Sequence, residues 1–476
     1  MLSTDEVARR LGVKPATVYA YVSRGLLASK RNADGKGSLF VEAEVEAFAT
    51  ARRRTATPGD SPPIRTGLTL IKDGALYLRG QDVSALAREC SFESVAMLLW
   101  TGELTPARLN PSAELLALAQ AVTAPLPAAA RLTDRLRVIV AAAAAADPLR
   151  FDTAPAAVIA TGQTILATMV AALPQRLPPR PQARPQAEPC ERFPLAAALW
   201  PRLTSAAATG AGIAVLNAAL ILLADHDIAA STLAARVAAS TRAHPYAVVG
   251  AGLAALDGPL HGAASGLAYS LLADAARTGD PVGAISVRLR VGAAVPGFGH
   301  HLYPNGDPRA THLLALVREA VAAGVLPDAV SPGIAVSDAV SPGAAVSDAV
   351  SPRDVVSDAV SPGIVAGPAG DEPRRVGGAT GREVRAVSPG ASTAQATLAI
   401  IDEVAAAVTR RSGVAPNIDF AIAAFALLSG MDADAGEAIF AVARTAGWIA
   451  HALEEYGDRP SRFRPSGHYA GRPPTS

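Results

Sequence analysis

The chain has 476 residues, a net charge of +1, hydrophobic side chains at 50% of positions and aromatic ones at only 4%. That length exceeds what one small core needs, so two or more domains are expected. The near-balanced charge excludes a general electrostatic attraction to nucleic acid or membrane, and two cysteines, Cys90 and Cys190, exclude a disulfide framework or a four-thiolate metal site. The hydrophobic excess is alanine, a strong helix former, which favours a mostly α protein with close helix packing. Residues 1–55 depart from the charge balance, with 10 Lys/Arg against 6 Asp/Glu, a local +4. The chain opens on a helix-capping pattern rather than a signal sequence, so a cytoplasmic, reducing location is expected.

Residues 1–55 read as one small unit. In STDEVARRLGV, Ser3 is followed three residues later by Glu6, a capping box. Val7, Ala8 and Leu11 then form an apolar stripe, and Gly12 ends the helix. KPATVYAYVSRGLL starts a second helix with Pro15 in its first turn, where a missing N–H costs nothing. Two short helices joined by a tight turn make a helix-turn-helix. Asp34-Gly35 suits the turn of a hairpin or wing, and 41–51 suits a third helix. Through the Thr17-Val18-Tyr19 helix and the Gly25-Leu26-Leu27 exit, this stretch resembles the DNA-binding module of the MerR and excisionase families.

TATPGDSPP follows, and residues 56–66 are a linker by composition. Residues 67–326 are read as the first part of the main domain. Within it, LPQRLPPRPQARPQAEP makes 173–190 an extended, Pro-rich insertion. SAAATGAGIAVLNAALILLA, Ser205 to Ala224, runs 20 residues without a charge. That is long enough to span a bilayer. Its Ala, Gly and polar content, and the Asp225-His226-Asp227 that follows, favour a buried core helix, and no membrane is expected. SDAVSPGAAVSDAVSPRDVVSDAVSPGIVA, Ser337 to Ala366, repeats with a period of ten. Each unit carries a Ser-Pro break and little bulk to bury, so 327–392 is expected to be a disordered insertion. Residues 393–476 resume the helical pattern.

Four patches concentrate unusual residues: His226 after the apolar run, His261 in GPLHGAASG, His300 and His301 in VPGFGHHLYPNGDPRA, and Asp419 in PNIDFAIAAF. Arg309 closes the third patch, Arg444 lies inside the apolar AVARTAGWIAH, and Arg464 follows in FRPSGHYAG. Taken singly, each has a structural explanation. A histidine at a helix end is a cap, an Asp after Asn is an N-cap, and a buried arginine pairs with a carboxylate. Taken together, they form a chemical set. A helix N-terminus keeps a histidine neutral and able to donate one hydrogen bond. An Asp can remove a proton from carbon if the enolate is stabilised. Arginines bind carboxylates bidentately. The set suits carbon–carbon bond formation between an acyl thioester and a dicarboxylate keto acid. The histidines lack an i, i+4 spacing and a nearby cysteine, so no metal is expected.

At these residues the sequence resembles the citrate synthase family. LYLRGQDVSALARECSFESVAMLLWTGEL, GPLHGAA, GFGH…DPRA, PNIDF and ARTAGWIAH are similar to family motifs and stand in family order. The resemblance runs from Leu76 to Tyr469 apart from the two insertions. It implies a two-domain, all-helical fold, here preceded by a small winged helix-turn-helix domain, with closure that excludes water from the enolate. It implies that His261 hydrogen-bonds the thioester carbonyl, Asp419 removes a methyl proton and His300 polarises the keto carbonyl of oxaloacetate. It places His226, Arg309, Arg444 and Arg464 on the oxaloacetate, the last from the other subunit of at least a homodimer. Acetyl-CoA would be a substrate, citrate and CoA the products, and no cofactor is implied. Propionyl-CoA, giving 2-methylcitrate, differs by one methylene and is the alternative.

Two departures stand out. Where many members carry arginine after the GFGH histidine and lysine three residues beyond it, this chain has His301 and Pro304, so a cationic contact to coenzyme A is expected to be missing. A different function class also has a basis. Residues 1–55 offer Lys14, Thr17, Tyr19, Lys30 and Arg31, with Arg52 to Arg54, as contacts to duplex DNA, which would make the protein a DNA-binding metabolite sensor. A sensor needs the arginines but not Asp419, so the full set favours the enzyme. The same domain used only for dimerisation is a third reading.

Overall fold

The computed structural model describes residues 2–11, 15–23, 27–31, 38–42, 44–46, 64–176, 191–326 and 392–463. The decapeptide repeat, most of the Pro-rich insertion, Gly12, the Asp34-Gly35 turn, Lys14 and Arg464 lie outside the described residues. Those before Thr66 form one compact unit and those from Thr66 onward form another.

The first unit begins with β1 (Leu2–Ser3) and α1 (Thr4–Leu11), followed by α2 (Pro15–Ser23), β2 (Lys30–Arg31) and β3 (Ser38–Phe40). The capping box forms: Ser3 N–H donates to Glu6 Oε2 at 2.8 Å, and Glu6 N–H donates to Ser3 Oγ at 3.4 Å. The three strands pair antiparallel in the order β1-β3-β2, which supplies the expected wing hairpin. Val7, Ala8, Val18, Leu27, Phe40 and Val45 make its core. Of the expected third helix, residues 42 and 44–46 are helical, and 47–51 lie outside the described residues.

The second unit opens with a small antiparallel sheet that the sequence reading did not foresee: β4 (Thr69–Lys72), β5 (Ala75–Leu78) and β6 (Gln81–Asp82). Asp73 and Gly74 both take positive φ in the two-residue turn, as tight hairpins require. Helices then dominate: α3 (Val83–Glu89), α4 (Phe92–Thr101), α5 (Ala113–Thr123), α6 (Leu132–Ala146), α7 (Pro155–Ala172), α8 (Pro194–Leu203), α9 (Gly210–Leu223), α10 (Ala230–Ser240) and α11 (Pro245–Leu256). They continue with α12 (Ala264–Thr278), α13 (Pro281–Arg290), α14 (Pro308–Ala322), α15 (Thr393–Ser412), α16 (Ile418–Leu428) and α17 (Ala435–Gly457).

The apolar run at 205–224 is the core helix α9, which starts at the Thr209 cap and is buried on every side. Its polar residue is accounted for: Asn217 Oδ1 accepts from Phe92 N–H at 2.8 Å, and its Nδ2 donates to the Cys90 carbonyl at 2.9 Å. Asn217 thus caps α4 from inside the core, where an unpaired amide would cost about 1–3 kcal/mol. Glu93 does the same for α8, accepting from Leu195 N–H at 2.7 Å. At 14 residues α9 is too short to cross a membrane; among the described residues one helix, α7, is long and apolar enough to do so, and half of it is buried in the protein.

α17 is the axis of the larger helix group, packing against α4, α6, α7, α9, α10 and α11. A helix enclosed on so many sides buries residues on every face, and α17 is buried from Ala435 to Ala452, the charged Glu437 and Arg444 included. A Cβ on Gly447 would lie 2.5 Å from the Ala224 carbonyl, so only glycine lets α17 meet the segment that carries His226. In the second group, α16 lies between α12 and α14.

Candidate active site

The site is built first by the start of α16. Asn417 caps that helix, its Oδ1 accepting from Asp419 N–H at 3.0 Å and from Phe420 N–H at 3.4 Å. Its Nδ2 donates to the Gly299 carbonyl at 3.0 Å, and its N–H to the Gly297 carbonyl at 2.9 Å. Gly299 N–H donates to Ala415 O at 2.9 Å, closing a bridge around Phe298 and Pro416. Gly297 has φ +85°, and a Cβ there would lie 2.9 Å from that of Phe420. The histidine loop and the Asp419 helix are therefore one cross-tied piece. Asn417, not Asp419, is the N-cap, which leaves the Asp419 carboxylate free of that structural role.

Asp307 ties in the next segment. It caps α14 and holds Arg309 in a fork, with Nε to Oδ1 at 3.0 Å and Nη2 to Oδ2 at 2.8 Å. Oδ2 also accepts from Ile418 N–H at 3.1 Å. Burial pushes Asp307 upward, but Arg309 outweighs it and holds the carboxyl below the ordinary range.

Tyr303 is the hub of this side. Its hydroxyl lies 2.9 Å from His226 Nε2, and its ring sits 5.0 Å from His300 and 5.6 Å from the Arg309 guanidinium. The His226 and His300 rings meet edge-on at 5.0 Å. His300 Nδ1 accepts from Leu302 N–H at 3.2 Å. A neutral imidazole has one N–H, so this bond places the His300 proton on Nε2. Burial, reinforced by Arg309, lowers His300 to about 4, and burial with Arg309 and Arg444 holds His226 well below its ordinary range. Both are neutral at pH 7. The cause is burial rather than the helix N-terminus expected from the sequence.

A second side is organised by Phe440 of α17. His261 stands edge-on to it at 5.5 Å, and Arg444 lies 4.7 Å above its ring. His261 Nε2 shares a hydrogen bond of 2.8 Å with Ser231 Oγ, and burial, with Arg444, lowers its pKa to about 4. Arg444 is fully enclosed; its Nε donates to the Leu223 carbonyl at 2.8 Å, while Nη1 is buried without a hydrogen-bond partner among the described residues. Behind it, Asp225 bonds His451 Nε2 at 3.2 Å and accepts from Thr69. Burial would raise Asp225, but His451 and Arg444 hold it below the ordinary range.

Asp419 faces both arginines electrostatically. Burial raises it to about 6, against the opposing pull of Arg309 and Arg444, and its Oδ1 is buried with no hydrogen-bond partner among the described residues. Native proteins leave few such atoms. Here a carboxylate oxygen and a guanidinium nitrogen are both unmet in one site. A base near pKa 6 is ionised at pH 7 yet strong enough to take a proton. Neutral histidines are donors for a developing oxyanion, and Arg444 has a free donor for a carboxylate.

Of the residues singled out from sequence, the structure gathers His226, His300 and Arg309 around Tyr303, and His261 and Arg444 around Phe440. Arg309 differs from its expected role in one respect: its fork is already engaged by Asp307. His301 is exposed and stacks on His300 at 5.0 Å and 13°. In the first unit, Thr17 is half-buried and Tyr19 is 51% exposed on α2, while Lys30 and Arg31 form β2. Sequence reasoning missed Tyr303, Asp307, Asn417, Ser231 and Phe440. The first three lay inside motifs already quoted. Ser231 and Phe440 carry no local signal. Among the described residues no group of three or more His, Cys, Asp or Glu is placed to hold a metal ion.

A mostly helical body with paired neutral histidines, a raised carboxyl and buried arginines defines the class of scaffold. The family model described as citrate synthase, C-terminal domain, matches residues 61–331 and 382–466, and a helix-turn-helix domain model matches 1–53. The chain belongs to the citrate synthase family and carries a helix-turn-helix domain at its N-terminus. It is 28% identical over 259 residues to citrate synthase 2 of Bacillus subtilis, covering 54% of this chain and 51% of that one. It is 25% identical over 413 residues to 2-methylcitrate synthase 2 of Corynebacterium glutamicum, covering 83% and 89%. The fold is similar to that of citrate synthase from Thermoplasma acidophilum, solved as a ternary complex with carboxymethyl coenzyme A and oxaloacetate. The TM-score is 0.59 at 20% identity, covering 87% of this chain and 95% of that one.

Proposed function

We propose that the protein condenses acetyl-CoA with oxaloacetate and water to give citrate and CoA. The reading is carried by Asp419, a raised carboxyl with an oxygen unpartnered among the described residues, under the pull of Arg309 and Arg444. Asp419 takes a proton from the acetyl methyl group while His261 donates a hydrogen bond to the thioester carbonyl. The resulting enolate carbon attacks the keto carbon of oxaloacetate. His300 supports that step through its Nε2–H, the hydrogen left by the Leu302 bond. Arg444, His226 and, once its pair with Asp307 is shared, Arg309 bind the carboxylates. Arg464, from the other subunit of a homodimer, completes their neutralisation. Water then cleaves the citryl thioester. No metal or other cofactor enters the scheme. Release of free thiol with oxaloacetate, from acetyl-CoA and propionyl-CoA side by side, tests it. Faster turnover of propionyl-CoA would make 2-methylcitrate the product, and no thiol release from either would end the proposal.

A second reading concerns residues 1–53, which match a helix-turn-helix model. It is supported by Tyr19, exposed on α2 beside Thr17. In this reading α2 contacts duplex DNA, with Lys14, Lys30 and Arg31 on phosphates, and the body biases binding by its occupancy with keto acid. Phosphate contacts make affinity fall steeply with salt. Binding of a random-sequence duplex by the full chain, titrated in salt with and without oxaloacetate, decides it; salt-independent or undetectable binding removes this reading.

A further inference from the structure

Tyr303 is buried, and among the described residues the one hydrogen-bond neighbour of its hydroxyl is His226 Nε2 at 2.9 Å. A phenol has one proton to donate. If His226 carried its hydrogen on Nε2, the two donors would face each other or the phenol proton would be stranded. Leaving a buried donor unmet is costly, because its hydrogen bond to water is lost with nothing in exchange. The arrangement that satisfies both groups has Tyr303 donating to Nε2, with the imidazole hydrogen on Nδ1. We propose that Tyr303 is a positioning residue that holds His226 as its Nδ1–H tautomer, prepared to donate to a carboxylate of the keto acid.

The geometry gives this device two supports. The Tyr303 ring is itself fixed, with Arg309 over its face and the His300 ring beside it. Its backbone N–H donates to the His300 carbonyl at 3.0 Å, so the turn that carries His300 also sets the reach of the hydroxyl. The opposite tautomers follow in neighbouring rings: Leu302 leaves His300 with Nε2–H, and Tyr303 leaves His226 with Nδ1–H. Two adjacent residues, Leu302 and Tyr303, thus assign the hydrogens of two histidines before any ligand arrives.

The role of the carboxylate rests on the oxaloacetate reading, but the tautomer does not. Nitrogen-15 spectra of histidine-labelled full-length protein, with His226 assigned by its loss in His226→Asn, read the tautomer directly. The expected result is an unprotonated Nε2 in the wild type. In Tyr303→Phe, which keeps the ring, the two nitrogens should move towards an averaged mixture. Titration calorimetry with oxaloacetate should show affinity weakened roughly three- to tenfold, the loss of one hydrogen bond. KM for the thioester should move less than twofold. A protonated Nε2 in the wild type overturns the inference without any variant. Identical spectra and identical oxaloacetate affinity in Tyr303→Phe overturn it as well. If the wild type itself neither binds oxaloacetate nor releases thiol, the functional reading fails, and the spectra still decide the tautomer.

Discussion

The two sides of the site are built on opposite principles. Around Tyr303, nearly every polar atom is tied: Asp307 forks Arg309, Leu302 fixes His300, and Asn417 clamps the loop to α16. Around Phe440, contacts are mostly ring faces and edges, His261 is held by one hydroxyl, and Arg444 keeps a donor unmet. A side that is fully bonded presents fixed hydrogens to a small, highly charged ligand. A side held by apolar contacts can adjust to a long, flexible one. Asp419 feels the arginine of each side, and its Oδ1 is a buried polar atom that the described residues leave unmatched.

The largest effect should come from Asp419. Asp419→Asn should lower kcat by on the order of a thousandfold, the usual scale of a lost general base. It should also stabilise the protein. The folded carboxyl is raised to about 6, so its protonated form is favoured on folding. That contribution is complete below the unfolded value near 4 and is lost as pH rises through about 6. Above pH 6 the charge therefore costs on the order of 2–3 kcal/mol, which the amide avoids. Denaturation at pH 8 should show the gain, and at pH 4 little of it. In the wild type, kcat/KM should fall below pH 6 because the base becomes protonated, whereas His261 and His300 stay neutral down to about 4. A flat profile between pH 5 and 8 would remove Asp419 as the base.

The arginines separate the two sides next. Arg309→Met leaves Asp307 buried without its partner and should cost about 3–5 kcal/mol of stability. Arg444→Met removes a cation that has no direct carboxylate partner among the described residues. It should leave the melting temperature nearly unchanged but weaken oxaloacetate on the order of a hundredfold. Equal losses of stability in both would erase the distinction. Asn417→Ala is smaller. It removes a cap worth about 1–2 kcal/mol and the side-chain tie to the Gly299 carbonyl, leaving the two backbone ties in place, so kcat should fall several-fold even where the protein remains folded.

Much of this was legible in the sequence, and unevenly so. Helix-forming composition, caps and apolar spacing foretold α9, α16 and α17, because those signals are local. The residues with chemistry in them stood out because charged and imidazole groups are rare in Ala-rich helices. What sequence did not show were relations across the chain. Nothing near Ser231 says that it meets His261 thirty residues on. Nothing near Phe440 says that two site residues converge on it. Tyr303 lay within a quoted motif yet passed unnoticed, because a tyrosine beside two histidines reads as packing until its hydroxyl is seen against His226. Arg309 shows the reverse case: the arginine expected to bind a ligand is also half of a structural pair.

The smallest expected effect concerns the residue next to His300. His301 is exposed, and its ring stacks on that of His300 at 13°. Arginine offers the same planar stack with a permanent charge and more donors. In His301→Arg the guanidinium would still cover His300, and its charge would reinforce the repulsion that already helps keep that imidazole neutral. Turnover should therefore change less than twofold. The added cation reaches solvent, where it can meet a phosphate of the thioester's nucleotide part, a contact worth up to about 1 kcal/mol at low salt. KM for the thioester should fall a few-fold at low ionic strength and return to the wild-type value in high salt. A KM unmoved at every salt concentration would show that His301 serves only as a lid on its neighbour. A large fall in kcat would show that the stack, and not the buried ties around Tyr303, is what holds His300.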